Sequence, residues 1–327
     1  LPNNATKLSF ETSMGPILKV KNLSKHFDVS PPLITRLVSR EEKSILKAVE
    51  GIGFEINQGE TVSLVGESGC GKSTVARLVV KLYEPTNGEI FFGDQNFSSI
   101  RSRKELKPIR RRIQMIFQDP FSSLNPKLKI GFLLREMWNL HQSEPATTAI
   151  LSKLRDEVGL HANTLDKYAH EFSGGQRQRI AIARALAADP EMLVADEPVS
   201  ALDVSIQAQI LNLLQQLRKE RNLTLLFISH DLAVVDQLCD RILVLYRGKL
   251  MEELPKQQLD RARHPYTRLL LDSLPSYAKR EIGLPIAPVV AEDASIQGCP
   301  FVHRCSESQA VCSQRMPQWS SLSQGHR

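Results

Sequence analysis

Apolar and polar residues alternate in two stretches near the start of the chain, which is the pattern of half-buried strands. The first stretch is Ile17 to Leu23, and the second, with a looser alternation, is Val49 to Ile56. A third strand is predicted over Glu60 to Val65, and it leads directly into a glycine-rich turn. The residues from Lys72 to Leu82 follow this turn and predict a helix.

The alternation of strand and helix continues through the second half of the chain. A turn at Pro85 to Gly88 precedes a short strand, Glu89 to Phe92. The pattern is mainly helical from Pro120 to about Ala187, and the apolar runs Met192 to Ala195 and Thr224 to Ser229 predict two buried strands. Strands that alternate with helices form parallel sheets covered on both faces. The sequence therefore predicts an α/β fold.

Some stretches do not fit this alternation. Residues 1–16 are polar and without periodicity, and we expect a leader or linker there. A charged insert with prolines, Pro31 to Lys43, is expected to form an exposed excursion. The longest apolar runs, such as Leu223 to Ile228 and Ile242 to Tyr246, are far shorter than the ~20 residues that cross a bilayer. We therefore expect another chain to supply any membrane span.

Composition narrows the class of protein. The 327 residues are 42% hydrophobic and 24% charged, which is typical of a globular protein and not of a disordered one. The net charge of +6 would suit a nucleic-acid or anionic membrane partner. However, the densest basic stretch, Arg101 to Arg112, contains no aromatic residue that could stack on bases, so we predict a solvated face and no nucleic acid. The five cysteines are an odd number, and no secretory segment is evident, which favours a reducing compartment.

The glycine-rich turn carries the first candidate site. Its residues follow the pattern G-x-x-x-x-G-K-[ST] between a predicted strand and a predicted helix, and they are Gly66, Glu67, Ser68, Gly69, Cys70, Gly71, Lys72, Ser73 and Thr74. Glycines let backbone N–H groups curve around phosphates, and the helix N-terminus adds a favourable dipole. Lys72 is expected to bind the β and γ phosphates, and the Ser73 hydroxyl is expected to ligate Mg²⁺. The alternative is a glycine-rich turn without a ligand.

Two acids follow the buried strand Met192 to Ala195. Ligands collect at strand ends of open α/β sheets, so Asp196 is a candidate magnesium ligand. Glu197 is a candidate for polarising the attacking water in metal-assisted phosphoryl transfer. The alternative is that the pair caps the next helix.

A third motif, Phe172 to Gln176, opens a helix, and its N-terminal amides and serine hydroxyl predict a second anion site. A single nucleotide held by the phosphate loop needs no second site in the same chain. We therefore expect this site to complete the γ-phosphate shell of a partner's ATP, with two such domains enclosing the nucleotides. The contributing residues are Ser173, Gly174, Gly175 and Gln176.

With these motifs, about Ile17 to Leu271 resembles the ATP-binding-cassette family. The resemblance implies that Phe27 stacks on adenine and that Gln118 contacts Mg²⁺ and water and senses a transmembrane partner. Asp203 resembles a residue of the loop that reaches across the dimer, and His230 resembles the histidine that contacts the γ phosphate. The resemblance to this family thus implies a competent ATPase that uses ATP and Mg²⁺. Taken singly, Phe27 could belong to the core and His230 could cap a helix.

Three segments resemble the oligopeptide and dipeptide importer branch of that family: Phe117 to Pro126, His264 to Thr267 and Gly298 to Cys305. The resemblance, together with the insert before Ala48, implies the second ATPase of a pair, separate or fused. It also implies two transmembrane permease subunits, an extracytoplasmic substrate-binding protein and a peripheral position on the cytoplasmic face of the inner membrane. The alternatives are a soluble ABC ATPase acting on ribosomes or DNA and a cluster-bearing regulatory module.

The tail contains three closely spaced thiols, Cys299, Cys305 and Cys312, which suit zinc or an iron–sulfur cluster. The resemblance implies a four-iron cluster, which needs a fourth ligand that is not evident in the chain. Either a ligand beyond Arg327 or a histidine, His326 or His303, is expected to supply it. The alternative is that the three are structural thiols.

The expected organisation is a P-loop NTPase fold with a RecA-like α/β core, an antiparallel β subdomain and an inserted helical subdomain at about 119–180. The predicted boundaries are 1–16 for the leader, 17–265 for the nucleotide-binding domain and 266–327 for a small C-terminal extension.

Overall fold

A computed structural model describes four stretches of the chain, residues 15–31, 43–272, 298–323 and 325–327. The predicted leader, apart from its last two residues, lies outside these stretches, and so do residues 32–42 of the predicted insert.

The described residues form ten strands. In chain order they are β1 (Leu18–Asp28), β2 (Ile45–Ile56), β3 (Thr61–Val65), β4 (Asn87–Phe92), β5 (Gln95–Asn96), β6 (Ile113–Ile116), β7 (Met192–Asp196), β8 (Thr224–Ser229), β9 (Arg241–Tyr246) and β10 (Lys249–Pro255).

The helices of the described stretches alternate with these strands. They are α1 (Lys72–Val79), α2 (Arg103–Arg112), α3 (Pro120–Ser123), α4 (Ile130–His141), α5 (Thr148–Glu157), α6 (Gly174–Leu186), α7 (Val204–Arg221), α8 (Leu232–Leu238), α9 (Pro265–Asp272) and α10 (Ala310–Gln314). Short 3₁₀ turns occupy Ala162–Asp166, Ala169–Glu171, Lys256–Arg261 and Val302–Arg304. No helix in the described stretches is long and apolar enough to cross a membrane.

The strands form two sheets. The smaller is antiparallel, in the order β2-β1-β4-β5, and the larger has the order β10-β9-β3-β8-β7-β6. All neighbouring strands of the larger sheet are parallel except β10, which runs antiparallel to β9 at one edge. The predicted α/β fold with a parallel sheet and an antiparallel β subdomain is confirmed.

Alternating side chains of the central strands divide the core into two layers. On β8, Leu225 and Phe227 face the layer formed with α4 to α8, whereas Leu226 and Ile228 face the layer that contains α1 and the antiparallel sheet. Successive side chains of a strand point to opposite faces, so a strand covered on both faces must be apolar throughout. This explains the continuous apolar runs that predicted β7 and β8.

The register of the parallel strands brings their carboxyl ends to one edge. Val65, the last residue of β3, lies opposite Ser229, the last residue of β8, and Asp196 at the end of β7 lies opposite Ile228. The phosphate loop, the two acids and His230 each follow one of these strand ends. The sheet thus brings together three segments that are far apart in sequence.

The element ends differ from the prediction at a few places. Helix α1 ends at Val79 and not at Leu82, because Lys81 adopts a left-handed conformation with φ of 56°. Strand β1 continues to Asp28, and β2 begins at Ile45, because the two strands pair along their full length. The basic stretch forms α2, which buries Leu106 and Ile109.

Candidate nucleotide site

The phosphate loop between β3 and α1 is closely packed at two glycines. Gly66 and Gly71 have φ of 152° and 109°. A Cβ at Gly66 would lie 2.1 Å from the Leu245 carbonyl oxygen, and one at Gly71 would lie 2.3 Å from the Ala48 carbonyl oxygen. Both positions require glycine because of the left-handed backbone and because neighbouring backbone occupies the space.

Lys72 points back into the loop. Its side chain is buried, with the residue 4% exposed, and its Nζ donates to the carbonyl oxygens of Gly66 at 2.8 Å and Glu67 at 2.9 Å. The Gly248 N–H, in the turn between β9 and β10, donates to the Cys70 carbonyl at 2.8 Å. Burial raises the pKa of the Cys70 thiol, which favours its neutral form. The loop therefore combines a positive charge with the N-terminus of α1, as phosphate binding requires.

Two oxygen groups lie together where a magnesium ion is expected. The Ser73 hydroxyl donates to Asp196 Oδ1 at 2.8 Å. Asp196 is 2% exposed, and this burial raises the pKa of its carboxyl group. A hydroxyl and a carboxylate are hard oxygen ligands of the kind that Mg²⁺ prefers, so the two residues fit the ion.

The three residues predicted to be catalytic meet at a single carboxylate oxygen. Gln118 Nε2 donates to Glu197 Oε2 at 3.0 Å, and His230 Nδ1 lies 3.3 Å from the same oxygen. The Glu197 side chain is 14% exposed, whereas that of His230 is 54% exposed. Glu197 has φ of 47°, which is uncommon for a residue other than glycine and is often found at functional sites. Its N–H donates to the Ile228 carbonyl at 3.0 Å, which fixes the acid at the sheet edge.

These groups face one cavity of about 1130 Å³. Its wall includes the loop residues Ser68, Gly69, Gly71, Lys72, Ser73 and Thr74, the catalytic candidates Gln118, Glu197 and His230, the ring of Phe27, and the basic residues Lys47, Arg247 and Lys249. The basic residues were not predicted from the sequence, because they lack a motif.

Phe27 lies on the cavity wall and not in the core. Its ring meets that of Tyr83 edge to face, with centroids 5.5 Å apart, and Lys25 Nζ lies 5.0 Å from its centroid. The predicted stacking on adenine stays a prediction, but the ring is accessible from the cavity.

The signature residues begin α6 at a different place. The Ser173 hydroxyl accepts from the Gln176 N–H at 3.4 Å, and the Gln176 side chain accepts from the Ser173 N–H at 3.1 Å. Gly174 is exposed, whereas a Cβ at Gly175 would lie 2.4 Å from Ile206 Cγ2 on α7. These residues do not belong to the cavity wall formed by the described residues.

Asp203 caps α7. Its carboxylate accepts from the Ile206 N–H at 3.0 Å and from the Ser205 hydroxyl at 2.7 Å. The bonds from Ser205 and Ile206 lower the pKa of Asp203. Like the signature residues, Asp203 lies outside the cavity wall formed by the described residues.

The segment that contains Gln118 is attached to α6. Gln118 is followed by α3, whose Ser123 carbonyl accepts a hydrogen bond from Arg184 Nη1. The Arg177 guanidinium, also on α6, lies 3.9 Å from the centroid of the Phe121 ring. Helix α6 therefore contacts the Gln118 segment through two arginines.

Two residues of the C-terminal part contact the phosphate loop, and no pattern in the sequence predicted these contacts. The Glu67 N–H donates to the Tyr266 hydroxyl at 2.8 Å. The Arg304 guanidinium donates to both oxygens of the Glu67 carboxylate at 2.8 and 2.9 Å. These hydrogen bonds raise the pKa of Arg304, so it remains charged. Tyr266 belongs to the segment His264 to Thr267, which resembles the importer branch, but that resemblance did not predict a contact with the phosphate loop.

Comparisons with known proteins agree with this geometry. A family model described as "ABC transporter" matches residues 49–200, and a model described as "Oligopeptide/dipeptide transporter, C-terminal region" matches residues 251–312. The chain is 43% identical over 325 residues to the oligopeptide transport ATP-binding protein AppF of Bacillus subtilis, covering 95% of each chain. The chain belongs to the ABC transporter family.

The chain is also similar to other ABC proteins, one a curated relative and one a solved structure. A putative peptide import ATP-binding protein of Brucella ovis is 45% identical over 320 residues, covering 95% of this chain and 96% of that protein. Among solved structures, an ATP-binding cassette described as dimeric, post-hydrolysis and bound to ADP and phosphate is 28% identical. It matches with a TM-score of 0.64 over 73% of this ABC chain and 98% of its own.

The arrangement of the three tail thiols in the described part of this ABC protein does not fit a metal site. Cys299 is buried, and Cys305 and Cys312 are partly buried. The Cys299 N–H donates to the Cys312 carbonyl at 2.7 Å, so the backbone of the two residues is close. Nevertheless, in the part of the chain that the structure describes, no three His, Cys, Asp or Glu side chains are grouped to hold a metal ion. Burial also raises the pKa of the Cys299 and Cys305 thiols, which favours protonated sulfur.

Of the two histidines considered as a fourth ligand, His326 has other partners. His326 Nε2 is 2.8 Å from Glu252 Oε1, and its Nδ1 is 3.2 Å from Gln258 Oε1. Both ring nitrogens are thus engaged in other contacts, so the described structure does not support His326 as the fourth ligand. His303 is exposed. The iron–sulfur prediction is not supported by the described residues.

Proposed function

We propose that this chain binds and hydrolyses ATP and thereby energises the import of peptides or a related small solute. The observation that carries the proposal is the meeting of Gln118, Glu197 and His230 beside the Ser73 and Asp196 pair, at the end of the phosphate loop. A phosphate-binding loop, a magnesium pair and a positioned carboxylate are the parts that phosphoryl transfer to water requires.

Each residue has one role in this proposal. The loop N–H groups and Lys72 bind the phosphates, and Ser73 and Asp196 hold Mg²⁺. The ion, when bound, neutralises charge on the phosphate oxygens. Glu197 orients the attacking water and accepts its proton, while Gln118 holds the carboxylate in place. His230 contacts the γ phosphate.

A second cassette is needed to complete the site. The signature residues Ser173 to Gln176 and the cap Asp203 lie outside the chain's own cavity. We infer that they contact ATP bound to a second ABC ATPase, a homologous subunit or a fused half, in a head-to-tail dimer. The similarity to a dimeric cassette with bound ADP and phosphate supports this inference.

The transport role rests on the relatives. Two family members with 43% and 45% identity are named for oligopeptide transport and peptide import, and the C-terminal region matches the oligopeptide/dipeptide model. Action on ribosomes or DNA is not favoured, because no such protein is among these relatives. We infer that the chain is the second ATPase of its pair and acts at the cytoplasmic face of the membrane. Its partners would be two permease subunits and an extracytoplasmic binding protein.

The decisive experiment is reconstitution of the chain with its copurifying membrane subunits in proteoliposomes. We expect peptide-stimulated ATP hydrolysis and ATP-dependent peptide uptake, both of which are lost with Glu197→Gln. Copurification with ribosomes or DNA instead of membrane proteins would contradict the transport role but not the ATPase.

A further inference from the structure

The C-terminal segment forms part of the nucleotide cavity. Gly298 and Pro300 belong to the cavity wall. Four residues after Pro300, Arg304 forms a two-bond ion pair with Glu67, the second residue of the phosphate loop, at 2.8 and 2.9 Å. The Arg304 side chain is 21% exposed and that of Glu67 is 41% exposed. The pair therefore joins the C-terminal segment to the phosphate loop.

Arg304 is held in place by aromatic rings. Phe301, 2% exposed, packs against Tyr246 and Tyr266 with centroids 5.3 Å away in each case. The Arg304 guanidinium lies 5.8 Å from the Tyr246 centroid and 5.6 Å from that of Phe301. The neighbouring rings and the planar bidentate contact with Glu67 both restrict the guanidinium, so its charge has a fixed position.

The negative charge of Glu67 disfavours the binding of phosphates by the loop. The loop binds a polyanion with its N–H groups and Lys72, yet its own second residue carries a negative charge. A negative charge on the loop disfavours the binding of a polyanion unless a cation compensates for that charge. Arg304 is the cation that the structure places on Glu67.

We propose that Arg304 is a positioning residue through which the C-terminal segment neutralises Glu67 and so sets the affinity of the phosphate loop for ATP. The inference rests on the proposed ATP-binding function of that loop. It gives the C-terminal segment a part in the nucleotide site, in addition to its place in the fold.

Other ion pairs attach the C-terminal segment without touching the loop. Arg327 Nε donates to Glu253 Oε2 on β10 at 2.6 Å, and Arg268 on α9 pairs with Glu307. They provide a matched control: Arg268→Gln removes an arginine–glutamate pair of the same segment but leaves the loop charge unchanged.

The test measures the Kd for MgATP and, separately, the KM and kcat of ATP hydrolysis for the purified chain. We expect Arg304→Gln to raise the Kd and KM about tenfold, the order of one uncompensated charge near the phosphates, with little change in kcat. Glu67→Gln is expected to bind ATP at least as tightly as wild type, and the double variant is expected to return the Kd to within about twofold of wild type. Arg304→Lys, which keeps the charge, should bind nearly as tightly as wild type, and Arg268→Gln should not differ.

A purely structural contact predicts a different pattern. If Arg304 only anchored the segment, the double variant would bind as weakly as Arg304→Gln, which would overturn the proposal, as would an unchanged Kd for Arg304→Gln. If Arg304→Gln does not fold, Glu67→Gln still decides, because weaker ATP binding by that variant contradicts neutralisation. A wild-type chain that binds no MgATP would instead refute the proposed function itself.

Discussion

Glu197→Gln is expected to remove the base at the site while leaving the local structure unchanged. Glutamine has the same shape as glutamate, so the left-handed backbone at position 197 and the N–H bond to the Ile228 carbonyl should persist. The amide oxygen can still accept the hydrogen bond from Gln118. What the variant loses is the negative charge and the ability to accept a proton from water.

The expected magnitude follows from that loss. A positioned general base contributes about 10² to 10⁴ in rate, which corresponds to about 3–5 kcal/mol of transition-state stabilisation. The side chain is only 14% exposed, so bulk water cannot readily replace the lost acceptor. We therefore expect kcat to fall at least a hundredfold while ATP binding is retained, since Lys72 and the magnesium pair are unchanged.

Steady-state ATP hydrolysis and equilibrium binding of MgATP would be measured on the same preparation. The matched control is Glu191→Gln, which changes an acid immediately before the same strand, at its opposite end, where it pairs with Arg112. This variant should keep wild-type turnover. Wild-type turnover by Glu197→Gln, or an equal loss in both variants, would refute the assignment of Glu197 as the base.

Three further results are expected. Tyr266→Phe leaves a phosphate-loop N–H without its acceptor and should lower the free energy of unfolding by about 1–3 kcal/mol. Tyr83→Phe removes a hydrogen bond from Arg77 at a less buried tyrosine and should cost less; equal losses in thermal melts would contradict this. Burial lowers the pKa of His264, whose neutral ring accepts from the Tyr266 N–H at 3.1 Å, so stability should be full above the ordinary pKa of 6.5 and fall as the pH drops below it. Denaturation from pH 8 to 5 should show this fall in wild type and a weaker one in His264→Gln. Burial raises the pKa of Cys239 to about 12, so iodoacetamide followed by peptide mass spectrometry should detect alkylation of the partly buried Cys312 first.

The sequence predicted the phosphate loop and the two acids because each of these segments belongs to a local pattern. The loop from Gly66 to Thr74 lies between a strand and a helix, and Asp196 and Glu197 end an apolar run. Parallel strands place such ends along one edge, so the meeting of these groups follows from the fold class. The roles assigned to them stay predictions until the variants are measured.

The contacts of the tail could not be predicted in this way. Arg304 and Glu67 are separated by 237 positions in the sequence, and neither residue belongs to a pattern that requires an ion pair. Such a pair depends on how α9 and the aromatic residues around Phe301 pack against β9, which is a property of the tertiary structure. The same reason explains His326, whose place in the sequence indicated a ligand but whose ring is bound to Glu252.

The attachment of α3 to α6 has a consequence for a pair of cassettes. Ser173, which is expected to meet the partner's ATP, immediately precedes helix α6. Along the side of this helix, Arg177 and Arg184 contact the segment that follows Gln118, which is expected to meet the chain's own ATP. In the proposed dimer, a displacement of this one helix would therefore change both composite sites at once. Two ATP molecules bound by such a pair would not be hydrolysed as independent events, and a variant that loosens α3 from α6 should be detected as a loss of cooperativity in ATP hydrolysis.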